Sequence, residues 1–183
     1  MGEFGAPAAA ALARELLATL GDRWLHVQAV GAGAVPLSRA VPESDKETLI
    51  ASAWLHDIGY AKELAVTGFH ALDGARYLRS SGWPEGIVCL VAHHSGAKYE
   101  AEARDLVDEL QKFIAPRGAL IDALITADMT HGPQGQEMTF DDRIQEILTR
   151  HPANSPVHRA FKAARRSLAS AVSRTEARMA QGG

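Results

Sequence analysis

The chain has 183 residues, 46% of them hydrophobic and 22% charged, which suits one globular domain with a core of its own. A formal net charge of −3 supplies no global basic field, which disfavours nucleic acid as a partner, and no apolar run approaches the length of a membrane span. The single cysteine, Cys89, excludes an internal disulfide, and Met1-Gly2-Glu3-Phe4-Gly5 lacks the basic and apolar regions of a secretory signal, so the expected location is cytoplasmic.

Helical periodicity dominates, and strand alternation is nearly absent. Pro7 and the Ala/Leu-rich stretch to Leu20 predict a first helix, stopped at Gly21. A second runs from Arg23 to about Val30, where Gly31, Gly33 and Pro36 predict a break or kink. A third starts at Ser44 or Asp45 and ends near Gly59. Further helices are expected over Phe69 to Arg79, Pro84 to His94, Lys98 to Ile114, Ala119 to Met129, Asp141 to His151 and Pro156 to Met179. The Gly- and Gln-rich segment from His131 to Met138 reads as a loop that separates a catalytic bundle from two C-terminal helices. Gly31-Ala32-Gly33 begins like a dinucleotide fingerprint, but no strand precedes it and Pro36 stands where the third glycine belongs.

The residues able to carry chemistry extend the apolar stripes of these helices. Leu120, Ile121, Leu124 and Ile125 lead to Asp128, whose carboxylate on a buried face needs a cation or hydrogen bonds to compensate it. Leu49 and Ala53 lead to His56, and Ile50 and Trp54 to Asp57. Neighbours on a helix normally diverge, but at the helix's last turn both side chains can converge on one ion. His26 shares a side with Ala29 and Val30. Ile87, Leu90 and Val91 put His94 on one stripe, with His93 on the neighbouring side. His70 opens its helix one turn before Gly74, where the missing side chain permits close backbone approach.

In order, these residues read His26, His56-Asp57, His70, His93-His94, Asp128. The pattern resembles the HD superfamily of metal-dependent phosphohydrolases, with Ala53-Trp54-Leu55-His56-Asp57-Ile58-Gly59 similar to the core motif and Ala127-Asp128-Met129 to the last acidic ligand. The resemblance implies an all-α HD-domain helical bundle, a single HD-type domain over 1–183 with its core at about 22–130 and C-terminal helices at about 140–180. It also implies a metal held by His26, His56, Asp57 and Asp128. The extra histidines resemble the longer branch with two metals, which implies that His70 and one or both of His93 and His94 hold a second ion, His94 being favoured by its stripe. Asp57 then bridges both metals and is the catalytic residue that orients the nucleophile. The departure of Gly59-Tyr60-Ala61 and His93-His94-Ser95-Gly96 from the cyclic-di-GMP-hydrolysing branch speaks against that substrate.

Imidazole plus carboxylate suits one or two divalent transition metals per chain: Fe, Mn, Co, Ni or Zn. The expected function is hydrolysis of a phosphate ester or anhydride in a small phosphorylated metabolite, a nucleotide first. The alternatives are a di-iron oxygenase of the same fold and a non-catalytic metal-containing binding module. Arg23, Lys62 and Lys98 are the candidate phosphate-holding cations. His131 can approach the site, His151 and His158 are expected on the surface, and the oligomeric state is left open.

Overall fold

The computed structural model describes residues 4–181; Met1-Gly2-Glu3, part of the stretch read above for a secretory signal, lie outside them. Helix α1 (Ala6–Leu17) forms where Pro7 presets the first turn, and it buries Ala9, Ala13 and Leu17, one stripe at a four-residue interval. That stripe lies on α3 (Lys46–Leu55), which also packs against α2 (Asp22–Leu37). Next come α4 (His70–Ser80), α5 (Glu85–His93), the short α6 (Ala97–Ala103) and α7 (Val107–Leu110), then α8 (Ala119–Met129), α9 (Phe140–Arg150) and the long α10 (Pro156–Gln181). Among the described residues there are ten α-helices and no strand, only an isolated bridge between His131 and Glu137. None of these helices is long and apolar enough to cross a membrane.

Three apolar clusters join the helices. Leu17, Leu55, Phe69, Leu72 and Leu78 centre the first, between α1, α3, α4 and α5. Val30, Leu49, Ala53, Leu90 and Leu124 join α2 and α3 to α5 and α8. Met129, Ile144, Ile147, Ala164 and Leu168 fasten α9 and α10 to the end of α8. Each fully buried Leu or Phe contributes about 1.5–3 kcal/mol, so the chemistry-bearing helix ends are set in a well-anchored frame. Asp122, buried in the first turn of α8, accepts hydrogen bonds from Arg174 at 2.6 and 2.9 Å and from Arg178 at 2.9 Å, tying α10 to the helix that carries Asp128.

Three expectations need correction. First, α2 runs through Gly31 and Gly33 to Leu37 without a break. A Cβ on Gly31 would lie 2.5 Å from the Trp54 indole, and one on Gly33 would lie 2.3 Å from the His131 ring, so these glycines admit neighbours rather than end the helix. Pro36 falls in the last turn, where its missing N–H costs a single bond. Second, the helix expected over Lys98 to Ile114 is two, because Asp105 adopts φ +58°, a left-handed conformation that a short polar residue tolerates. Third, the loop after α8 does not set the two C-terminal helices apart from the bundle that carries the ligands. It folds back so that the Gly132 carbonyl faces His26, and α9 and α10 pack on α8 and α6.

Candidate metal centre

Six of the predicted side chains meet where five helices end or begin. His26 lies one turn into α2, His56 caps α3 with Asp57 beside it, His70 opens α4, His94 caps α5, and Asp128 is the penultimate residue of α8. The α3 helix stops at Leu55, and Asp57 turns out of it at φ −109°, ψ 9°, into a tight turn over Ile58–Tyr60. That geometry brings two sequence neighbours to one point, with His56 Nε2 3.4 Å from Asp57 Oδ2. Gly59 makes it possible: a Cβ there would stand 2.0 Å from the His70 carbonyl oxygen. His94 reaches the site through an extended backbone, ψ 154°, followed by Ser95 at φ +32° and Gly96 at φ +81°.

The six residues form two groups of three, each with its potential ligand atoms within 4.8 Å of one another: His26, His56 and Asp128, and then Asp57, His70 and His94. Asp57 faces both. Its Oδ1 lies 3.3 Å from His70 Nε2 and 3.7 Å from His94 Nε2, while its Oδ2 lies 3.4 Å from His56 Nε2 and 3.8 Å from His26 Nε2. If each group held an ion, Asp57 would be shared by both.

The donor chemistry fits divalent metals. Nδ1 of His26, His56 and His94 faces the backbone carbonyl of Gly132 at 3.1 Å, Ala53 at 2.7 Å and Val91 at 2.7 Å respectively. A carbonyl only accepts, so each Nδ1 carries the proton, and in a neutral ring each Nε2 then presents a lone pair. The Nε2 atoms of His26 and His56 are 3.3 Å apart, and those of His70 and His94 3.1 Å apart. Two ligand atoms each about 2.1 Å from one ion, at roughly 90–109°, stand about 3.0–3.4 Å apart. Lone pairs facing each other at that distance call for a positive charge between them. Burial opposes charge on His56, but Asp57 and Asp128 raise its pKa, while burial lowers that of His26. Burial would also raise both carboxyls, yet Arg23 and His56 hold Asp57 well below the usual carboxylate range, and His26 and His56 do the same for Asp128. Burial pushes His70 down to about 3.

The remaining predicted residues fall elsewhere. His93 is not brought to the site: its Nε2 faces the Phe113 carbonyl at 2.9 Å. His131 is buried with Nδ1 2.7 Å from the Ala127 carbonyl, and it belongs to neither group. Lys62 and Lys98 are exposed, Lys98 lying over the Tyr99 ring. Arg23 does reach the centre, where its guanidinium pairs with Asp57 Oδ2 and covers the Tyr60 ring at 4.0 Å. Tyr60 in turn stacks on His70 at 4.2 Å, so an Arg23-Tyr60-His70 sandwich covers the second group.

The ligands open onto a small cavity of about 40 Å³. Sequence reading missed its far wall, which α9 and α10 supply through Arg143, Ile147, Arg150, His151, Val157 and Phe161. His151, expected on the surface, lines this cavity. The available signal was Arg143 beside the Ile144–Ile147 stripe: an arginine on a helix's apolar side is costly to bury without a task.

A family model described as HD domain matches residues 9–148, a span that holds all six ligand candidates and most of α9. Among curated proteins, the chain is 39% identical over 77 residues to the 3-oxoacyl-[acyl-carrier-protein] reductase FabG of Pseudomonas aeruginosa, a stretch covering 40% of this chain and 30% of that protein. The chain thus spans under a third of that relative's length, and the reductase name does not carry over to it. No solved structure matches.

Proposed function

Since the chain belongs to the HD domain family, whose members are in general metal-dependent hydrolases, we propose that it is a phosphohydrolase cleaving a phosphate ester or anhydride of a small metabolite, nucleotides first. The observation that carries this reading is the pair of His₂-carboxylate groups meeting at Asp57, beneath a cavity whose opposite wall is cationic. Divalent metals held by His26, His56 and Asp128 and by Asp57, His70 and His94 would supply a water-derived nucleophile near neutral pH and stabilise the leaving oxygen. The chain's own residues do the rest. Backbone carbonyls fix the rings of His26, His56 and His94, so the Nε2 atoms are aimed before any ligand arrives. Asp57 spans the two groups and is the acceptor placed to orient an attacking water. Arg23, paired with Asp57 and stacked on Tyr60, keeps that carboxylate ionised and in place. Phe69, Val157 and Phe161 line the cavity beside these polar groups.

Protein reconstituted with Mn, Co or Ni and offered nucleotides and phosphomonoesters is expected to release phosphate. Retention of the metals with no turnover on any of these substrates contradicts the reading. The His₂-carboxylate composition of each group also suits non-haem iron, which supports a di-iron oxygenase as the second reading. Iron in the protein as isolated, a mixed-valence EPR signal and oxygen consumption would favour it over hydrolysis.

A further inference from the structure

Three buried side-chain polar atoms among the described residues have no hydrogen-bond partner: Ser52 Oγ, Ser95 Oγ and Arg143 Nε. Two of the three belong to residues lining the cavity over Asp57. An unmade hydrogen bond on a buried donor costs about 1–3 kcal/mol, more on a charged group, and both of these donors belong to residues lining one cavity. Both can donate to an oxyanion.

Arg143 is built for that task. It is only 4% exposed, yet its Nη2 comes no closer than 3.9 Å to the nearest Asp128 oxygen, too far for a hydrogen bond. Its hydrogen-bonded partner is Glu146, on the same helix, with Asp128 a second, longer ion partner. One Glu146 oxygen takes Arg143 Nη1 and the other takes Arg150 Nε at 2.8 Å. Glu146 therefore holds two guanidinium groups from one side and leaves Arg143 Nε without a partner. Arg143, Ile147 and Arg150 lie at intervals of four and three residues, one face of α9, and all three line the cavity. Ser95 enters from the other side, at the left-handed turn that follows His94.

We infer that Arg143 and Ser95, with Arg150 behind them, form an oxyanion-binding wall that receives the terminal phosphoryl group of the substrate and makes the site selective for phosphomonoesters and terminal phosphates over diesters. The inference rests on the phosphohydrolase reading and adds the substrate class. A terminal phosphoryl group has three unesterified oxygens and up to two negative charges, so it can face Asp57's two ligand groups and still present an oxygen to the wall. A diester has two such oxygens and one charge. The arginine fork matches phosphate oxygens in a geometry that a lysine ammonium does not reproduce. Arg143 and Ser95 are specificity-determining residues that touch the substrate; Glu146 is a positioning residue acting through Arg143.

The test is calorimetric binding of inorganic phosphate to metal-loaded protein, alongside KM for a phosphomonoester and for a diester. Arg143→Lys is expected to weaken phosphate binding about tenfold or more, to raise the monoester KM by a similar factor, and to narrow the preference for monoester over diester. Ser95→Ala is expected to weaken phosphate binding roughly threefold to tenfold. Both should keep the wild-type metal-to-chain ratio. If Arg143→Lys does not fold, Ser95→Ala and the more exposed Arg150→Ala decide the matter. Phosphate affinities within twofold of wild type in the folded variants overturn the proposal, as does wild-type metal-loaded protein that binds no phosphate at millimolar concentration. Phosphate bound through Arg143 and Ser95 without any turnover would contradict hydrolysis while leaving this anion site standing. Turnover with unaltered variant affinities would do the reverse.

Discussion

His26 and His56 are enclosed, at 1% and 0% exposure, and both are locked by carbonyls, while their partner Asp128 reaches the cavity at 6%. Asp57, His70 and His94 face the cavity, and His70 has 15% of its side chain exposed and no carbonyl on its Nδ1 among the hydrogen bonds that hold the other rings. What positions His70 is indirect. Tyr60 stacks on its ring, Gly59 lets its backbone approach, and Asp73 ties down the loop ahead of it. The two groups use the same donors, but the first is preorganised by the core while the second depends on a loop and a turn. The difference predicts a tight first metal and a weaker, exchangeable second one.

The largest effect comes from breaking the residue the groups share. Asp57→Ala should leave at most one metal per chain and lower turnover by roughly 10³-fold or more, since several kcal/mol of transition-state stabilisation go with the metal pair. Elemental analysis with steady-state kinetics checks both numbers. Gly59→Ala pushes a methyl into the His70 backbone, 2.0 Å away where nothing can yield cheaply. Overpacking of about 1–3 kcal/mol should lower the melting temperature by roughly 3–10 °C and empty the second group before the first, as a thermal scan and a metal titration would show. Asp73 accepts from the backbone N–H of Val66 at 3.1 Å, of Thr67 at 3.0 Å and of Gly68 at 3.2 Å, and from the Thr67 hydroxyl at 2.9 Å. Asp73→Asn replaces one acceptor oxygen by a donor facing donors, and should weaken second-metal binding about tenfold while sparing the first.

The smallest effect is that of pH on the metal-free fold. His70 is held down to about 3, below its ordinary 6.5, so between those values the unfolded chain binds a proton that the folded chain refuses. That contribution to stability is present above about pH 6.5 and declines as pH falls. Asp57 and Asp128, also depressed, add losses once pH drops into the ordinary carboxylate range. His56, raised, opposes them, because its contribution is present at low pH and fades as pH rises. Urea midpoints in chelator should be lower at pH 5 than at pH 7 for wild type, with a smaller difference in His70→Gln.

How much of this was legible beforehand follows the same division. Apolar stripes pointed to His56, Asp57, His94 and Asp128, because a polar residue continuing a buried face is visible in period 3.6. The stripe also separates His94 from His93, since the helix ends at His93 and only the next residue swings back toward Asp57. Glycines misled. Gly31 and Gly33 look like helix breakers in one dimension and are contact points for Trp54 and His131 in three. The wall of Arg143 and Arg150 was hidden because it comes from a helix beyond a loop that resembles a linker, and the return of that loop to His26 is a tertiary fact.

Two metals, one in each group that Asp57 faces, are the central expectation. The most direct test is the metal-to-chain ratio of Mn-loaded wild type and of His70→Ala, measured by elemental analysis after removal of free metal. The prediction is a ratio of two for wild type and one for the variant. A wild-type ratio of one or less, or a variant that still holds two, would contradict it.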